Sequence, residues 1–222
     1  MTLTTAPATI GSQGFDADSV IGSDTAKALA AAGFGFAVRY LSRMRPQNNG
    51  DLSAAEIGWI TDAGLALMVA QHYPGLNWVP TTALGTAQGR AAAINAAAIG
   101  IPTGVSLWAD IEAVADYVSV ADMIAYINTW AGEVSARGYL PGVYVGANQP
   151  LTGDELYWRL KVAYYWKSAS HVPDIPVRGF CMIQAIAPSP IDGISLDRNA
   201  VQLETMQTLL PVWAVAAQPV GA

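Results

Sequence analysis

This chain is poor in the residues from which metal centres, redox switches and nucleic-acid surfaces are made. Its single cysteine, Cys181, allows no disulfide within the chain and no cysteine-based zinc site. Cys181 lies in the apolar run 179–183 and reads as a small buried hydrophobe. Two histidines, His72 and His171, are too few for a histidine-built metal centre, so neither metal nor organic cofactor is expected. Charged residues make up only 13% of the 222, with 11 Lys and Arg against 17 acids and a formal charge of -6. No Lys/Arg run occurs, which argues against a nucleic-acid partner or an anionic membrane surface. Apolar runs are short; the nearest to a membrane span, 91–100, is far below the roughly 20 residues a bilayer requires. Residues 1–12 are rich in Thr and Ala, lack Lys and Arg and have no long apolar core, so no signal peptide is expected.

What the chain has in quantity is apolar sequence, 52%, enough for one domain with a substantial core. Short apolar runs alternate with Ala-rich, helix-periodic segments. Strands are predicted at 14–16, 35–40, 65–71, 105–111, 142–146, 163–166, 180–184 and 193–197. Helices are predicted at about 23–32, 53–62, 86–99 and 119–136, with a weaker turn at 154–160. Gly33, Gly64, Gly100 and Gly138 stand just past the four longer ones. Ser53-Ala-Ala-Glu56 has the form of a capping box. Strand–helix alternation implies parallel pairing with right-handed crossovers. About eight strands predict a single-domain α/β (β/α)8 barrel of TIM type with some helices reduced. The open doubly wound sheet is disfavoured because no G-x-G-x-x-G follows any strand. The domain is expected over 14–213, with an N-terminal extension at 1–13 and a C-terminal tail at 214–222.

In a barrel, residues at the C-terminal strand ends converge on one mouth. Four acids fall at such ends: Asp16, Asp110, Glu112 and Asp197. Asp110 and Glu112 stand two apart in Ser106-Leu-Trp-Ala-Asp110-Ile-Glu112, a spacing that turns both to one face of a strand. Leu107, Ala109 and Ile111 then face the helices. Paired acids can supply the proton donor and anionic stabiliser that glycosidic-bond cleavage needs. Taken singly, Asp16 and Asp197 also suit turn or helix capping.

Polar and aromatic residues surround these acids. Arg39 interrupts an apolar strand; beside the carboxylates it would keep them ionised, or it pairs with one for structural reasons. Gln71 and Gln184 end two strands and could bond sugar hydroxyls or loop backbone. Trp108 shares the face of Asp110, and Trp166 ends its strand, so both are candidates to stack on a sugar ring. Trp59 and Trp130 read as core residues of helices. His72-Tyr73-Pro74 forms a candidate rim element.

The order of motifs resembles a known family. Gly14-Phe-Asp16, Val38-Arg-Tyr40-Leu41, Trp108-Ala-Asp-Ile-Glu112, Pro141-Gly-Val-Tyr144, Trp166, Gln184 and Gly193-Ile-Ser-Leu-Asp-Arg-Asn199 are similar to the glycoside hydrolase-like domains named domain of unknown function 1906. Those are similar in turn to the (β/α)-barrel lysozymes of glycoside hydrolase family 25. The match covers about 14–201. Ala17-Asp18-Ser19 stands where those lysozymes usually carry a Gly/Gln-containing turn.

The resemblance implies cleavage of the β-1,4 bond between N-acetylmuramic acid and N-acetylglucosamine. Glu112 would be the general acid, with Asp110 as charge stabiliser or acetamido guide. Asp16 and Asp197 match the acids of the first and last strands. Arg39, Tyr40, Gln71, Tyr73, Trp108, Tyr144, Trp166 and Gln184 would bind a peptidoglycan-like glycan. The alternative is an inactive glycan-binding or structural module, a subunit of a phage tail or other wall-contacting assembly. A barrel enzyme for a small metabolite is disfavoured by the missing phosphate-binding glycine loop. The expected location is the cytoplasm, or a phage particle or lysate.

Overall fold

A computed structural model describes residues 2–187, 190–202 and 209–217. The chain opens with β1 (Leu3–Pro7) and β2 (Gln13–Ala17). It continues through α1 (Ser23–Ala31), β3 (Phe36–Leu41), α2 (Ala54–Asp62), β4 (Ala66–Gln71), α3 (Thr82–Ala98), β5 (Ser106–Asp110), α4 (Val120–Ser135) and β6 (Leu140–Val145). Then come α5 (Gly153–Arg159), β7 (Tyr164–Lys167), β8 (Met182–Ile186), β9 (Asp197–Val201) and β10 (Val212–Ala216).

The sheet closes on itself from β2 round to β9, an eight-stranded α/β barrel in one domain with five helices among the described residues. Neighbours from β2 to β8 run parallel, as the strand–helix alternation predicts. The last strand departs from that expectation. It begins at Asp197 instead of ending there, and it runs antiparallel to both β8 and β2. Among the described residues no helix lies between β8 and β9, so the crossover that parallel pairing requires is not seen there and β9 pairs antiparallel.

The predicted N-terminal extension holds β1, whose five residues pair antiparallel with β10. The tail boundary predicted at 214 falls inside β10, and residues 218–222 lie outside the described part. The β1–β10 ribbon lies against β4, where Ala214 pairs with Leu67.

Two apolar layers hold the barrel. Alternate strand residues such as Leu67, Val69, Leu107, Ala109 and Val143 face outward under the helices. Phe36, Val38, Met68, Trp108, Trp166, Met182 and Trp213 fill the interior. Ser53, Thr81, Ser119 and Thr152 cap α2 to α5, each side chain accepting from a backbone N–H three residues on. The longest helices, α3 and α4, approach closely where Gly85 and Gly89 lie against the α4 backbone at Tyr126 and Trp130.

Candidate active site

Asp16, Asp110, Glu112 and Asp197 line one cleft of about 300 Å³ at the mouth of the barrel. Tyr40, His72, Tyr73, Asp18, Ser19 and Ser195 complete much of its wall. Asp16 and Asp110 arrive as predicted, at or near the C-terminal ends of parallel strands. Asp197 reaches the same mouth from the opposite direction, because β9 is antiparallel and starts there. It is the direct cross-strand partner of Asp16. Like charges facing each other across a strand pair are destabilising, so this placement works against stability.

Glu112 sits beyond the end of β5. Its backbone N–H donates to the Asp110 carboxylate at 3.2 Å, and its carbonyl accepts from Trp78 Nε1 at 2.8 Å. The next residue, Ala113, has φ of 57°, a left-handed conformation uncommon for a side-chain-bearing residue. The strand therefore ends in a tight turn that the D-x-E spacing does not foretell, yet both acids still reach the cleft. Room for Glu112 comes from Gly146 at the end of β6: a Cβ there would overlap Glu112 Cβ and Oε2.

Asp16 is held by three donors. Asn199 Nδ2 donates at 2.7 Å and Gln184 Nε2 at 3.0 Å to one oxygen; Tyr40 Oη donates at 3.0 Å to the other. Each amide is itself oriented. Trp166 Nε1 donates to Asn199 Oδ1 at 2.9 Å, and Tyr144 Oη donates to Gln184 Oε1 at 2.9 Å. All these bonds point their donors toward Asp16, a geometry suited to the carboxylate form. Burial nevertheless pushes the Asp16 carboxyl up to about 6, against those donors and helped by the Asp197 charge. Burial and the neighbouring Glu112 raise Asp110 well above the usual carboxylate range. Glu112 is raised too, by partial burial and then by the charges of Asp16 and Asp197. The cleft thus combines an oriented anion with two acids that favour keeping their protons.

Four predicted binding residues stand elsewhere. Arg39 points outward from β3, toward α2 and away from the mouth. Its Nε donates to Glu56 at 2.5 Å and its other nitrogens reach the carbonyls of Ala17 and Gly50. Glu56 consequently does not complete the predicted capping box; its carboxylate takes Arg39 and the Ile21 N–H instead. Gln71 also points outward, donating to the carbonyls of Ser42, Arg43 and Gln88 and accepting from Trp130 Nε1 at 2.7 Å. Trp108 and Trp166 face the interior as their strand parity requires, but they are 0% and 1% exposed. They are the floor beneath the acids and cannot stack on a ligand. Of the other four, Tyr40 and Tyr73 line the cleft, while Tyr144 and Gln184 support Asp16 from below.

Asn199 and Asp18 are missing from the sequence candidates. Asn199 was recoverable: Asp197-Arg-Asn199 alternates, so both polar residues share a face once the strand is placed there. Asp18 had no such signal.

Barrel and acid cleft together define a glycoside hydrolase-like protein. A family model described as Rv2525c-like, glycoside hydrolase-like domain matches residues 27–175, and the chain belongs to that family. Among solved structures it is similar to the Tat-secreted protein Rv2525c of Mycobacterium tuberculosis, crystallised with L-tartrate. The identity is 21%, covering 87% of this chain and 96% of that one, with a TM-score of 0.65. A bacterial lysozyme from Streptomyces coelicolor shares 17% identity over 87% of this chain and 93% of that one, TM-score 0.58. A family 25 glycosyl hydrolase from Bacillus anthracis shares 12% over 86% and 89%, TM-score 0.59. Comparison with functionally curated proteins gave no match.

Proposed function

We propose that the chain is a glycosidase acting on a cell-wall glycan of the peptidoglycan type, cleaving a β-1,4 bond with Glu112 as general acid. The observation that carries this reading is the convergence of Asp16, Asp110, Glu112 and Asp197 on one cleft whose described lining contains no Lys or Arg. Burial, followed by the charges of Asp16 and Asp197, raises Glu112, and no Lys or Arg of the described lining opposes that, so this carboxyl is suited to hold a proton for the glycosidic oxygen. Transfer of that proton releases the leaving sugar as an alcohol. The acetamido oxygen of the retained sugar closes on the anomeric carbon, with Asp110 steadying the amide. The anionic Asp16, fixed by its three donors, opposes the positive charge of the oxocarbenium-like centre. Water then opens the ring so formed and returns a proton to Glu112.

The test is incubation with purified peptidoglycan and detection of new reducing ends by mass spectrometry. Wild-type protein releases them, and Glu112→Gln releases roughly 10²–10⁴-fold fewer while still folding. Undiminished release by Glu112→Gln moves the acid role to Asp110.

One observation favours a second reading, a module that holds glycan without turnover. The turn after Asp16 is Ala17-Asp18-Ser19, all three in the cleft wall, where the lysozymes that the chain resembles usually carry a Gly/Gln-containing turn. Retention of protein on wall material with no reducing ends at any pH selects that reading.

A further inference from the structure

The acid cleft does not end at its own wall. Asp18, His72 and Tyr73 also line an adjoining cavity of about 480 Å³, which continues over the loops that follow β3 and β4. At about 300 Å³ the acid cleft alone stands at the floor of the usual range for small-molecule sites, about 300–1,000 Å³. A saccharide longer than one ring must run beyond it, and this cavity is a space, lined by described residues, with which it shares a wall.

The chemistry changes along that path. The acid cleft is lined by carboxyl groups and no fixed cation, whereas the adjoining cavity adds the Arg43 guanidinium and the side-chain amides of Asn48 and Asn49. Among the described residues Arg43 has no carboxylate partner within salt-bridge distance; one of its terminal nitrogens donates to the Pro74 carbonyl, which ties the two loops together. Of the two carboxylates on the same wall, Asp51 is engaged, one oxygen by Ser42 Oγ and the other by His72 Nε2 at 2.9 Å, while Asp18 is largely exposed at 3.5 Å from His72 Nε2. Among the described lining residues of the trough, Arg43 is therefore the permanent cation that is free to meet a ligand's charge. Its planar fork suits a carboxylate, and the neighbouring amides suit hydroxyl or acetamido groups.

We propose that this cavity is a subsite for an anionic arm of the saccharide, a carboxylate-bearing substituent read by Arg43, while the acid cleft holds the uncharged pyranose ring. The inference rests on the glycosidase or glycan-binding reading and adds to it a basis for choice. A peptide-free cell-wall strand, whose alternate sugars carry a free lactyl carboxylate, brings a charge that Arg43 can meet; a chitin oligomer of the same length enters the same space without one.

Calorimetric titration of the full chain tests it, with a muramic acid-containing cell-wall tetrasaccharide and with chitotetraose. Glu112→Gln protein serves as host, so that nothing is consumed. The muramic tetrasaccharide is expected to bind about three- to tenfold tighter, the range for one partly exposed charge-assisted contact. Arg43→Gln removes that preference and leaves chitotetraose affinity unchanged. Methyl esterification of the lactyl carboxylates reproduces the loss on wild-type Arg43. Equal affinities in the host protein, or a preference that survives Arg43→Gln, overturn the subsite while leaving the glycan reading standing. Absence of binding by either saccharide overturns both.

Discussion

Burial and hydrogen bonding pull Asp16 in opposite directions. Three donors favour its anion, yet desolvation wins and its carboxyl rises to about 6. Its pKa is higher folded than unfolded, so the native state binds more protons between about pH 4 and 6. Stability is full below that window and falls as pH rises through it, by on the order of 3 kcal/mol for this one group. Asp110 carries the same sign, raised first by burial and then by Glu112. Its isosteric amide cannot ionise and can still accept the Glu112 N–H. Asp110→Asn is therefore expected to raise the melting temperature at pH 7, with the gain vanishing at about pH 2.5, where both folded and unfolded carboxyls hold their protons. Melting curves at the two pH values decide it; a gain that persists at low pH would show that the carboxyl's charge is not the cause. A residue that costs stability at neutral pH and is surrounded by others of its kind fits a site kept for chemistry.

The same competition shapes the elements that carry the site. On β3, Arg39 has strand parity that turns it outward, where the Glu56 carboxylate on α2 meets it with both side chains fully buried. Arg39→Met removes one partner and leaves Glu56 charged in an apolar layer, an expected loss of about 3–5 kcal/mol by chemical denaturation. Arg39→Met with Glu56→Leu should recover much of it; failure to recover would mean that the pair is not the cause. Between α3 and α4, Gly89→Ala should destabilise even though alanine favours a helix by about 1 kcal/mol. Its Cβ would stand 2.5 Å from the Trp130 carbonyl oxygen, a backbone atom that cannot rotate away. Overpacking typically costs about 1–3 kcal/mol, so a lowered melting temperature is expected and a raised one would mean that the helices part freely.

The sequence carried the periodicities well, and so most strands, the Ser53 cap of α2 and the acids at the mouth were legible in it. It did not carry which face of β3 and β4 looks inward relative to the neighbouring helices. Arg39 and Gln71 therefore read as mouth residues although their partners, Glu56 and Trp130, stand 17 and 59 residues away. Nor did it show that β9 reverses, since Gly193-Ile-Ser-Leu-Asp197 is as apolar as a strand while the ladder begins only at Asp197. Long-range pairing decided both.

At the scale of the whole molecule the barrel has a mouth and a closed base, and the base depends on a strand from the far end of the chain. β4 and β5 pair only from Val69 to Gln71 and from Leu107 to Ala109, so the first half of β4 and the first residue of β5, Ser106, are not joined to each other. β10 occupies the gap: Ala214 pairs with Leu67 and the Val212 N–H donates to Ser106 Oγ at 3.0 Å. Between them Trp213 enters the interior layer, its ring 5.6 Å from that of Phe36 at the first residue of β3. β1 then pairs along the full length of β10 and covers its outer edge. Closure at the base is a packing event remote from the carboxylates, so the two ends of the barrel should respond separately to mutation. Trp213→Ala is expected to lower stability by about 3–5 kcal/mol, the usual cost of emptying a buried aromatic site. It should also speed hydrogen exchange at β4 and β5 first. The Asp16 carboxyl, followed by carbon-13 NMR titration, should keep its raised value while the variant remains folded, because its donors all lie on β3, β8 and β9 at the mouth. A return of Asp16 toward an ordinary carboxylate value in folded Trp213→Ala would instead make the base part of the machinery that tunes the cleft.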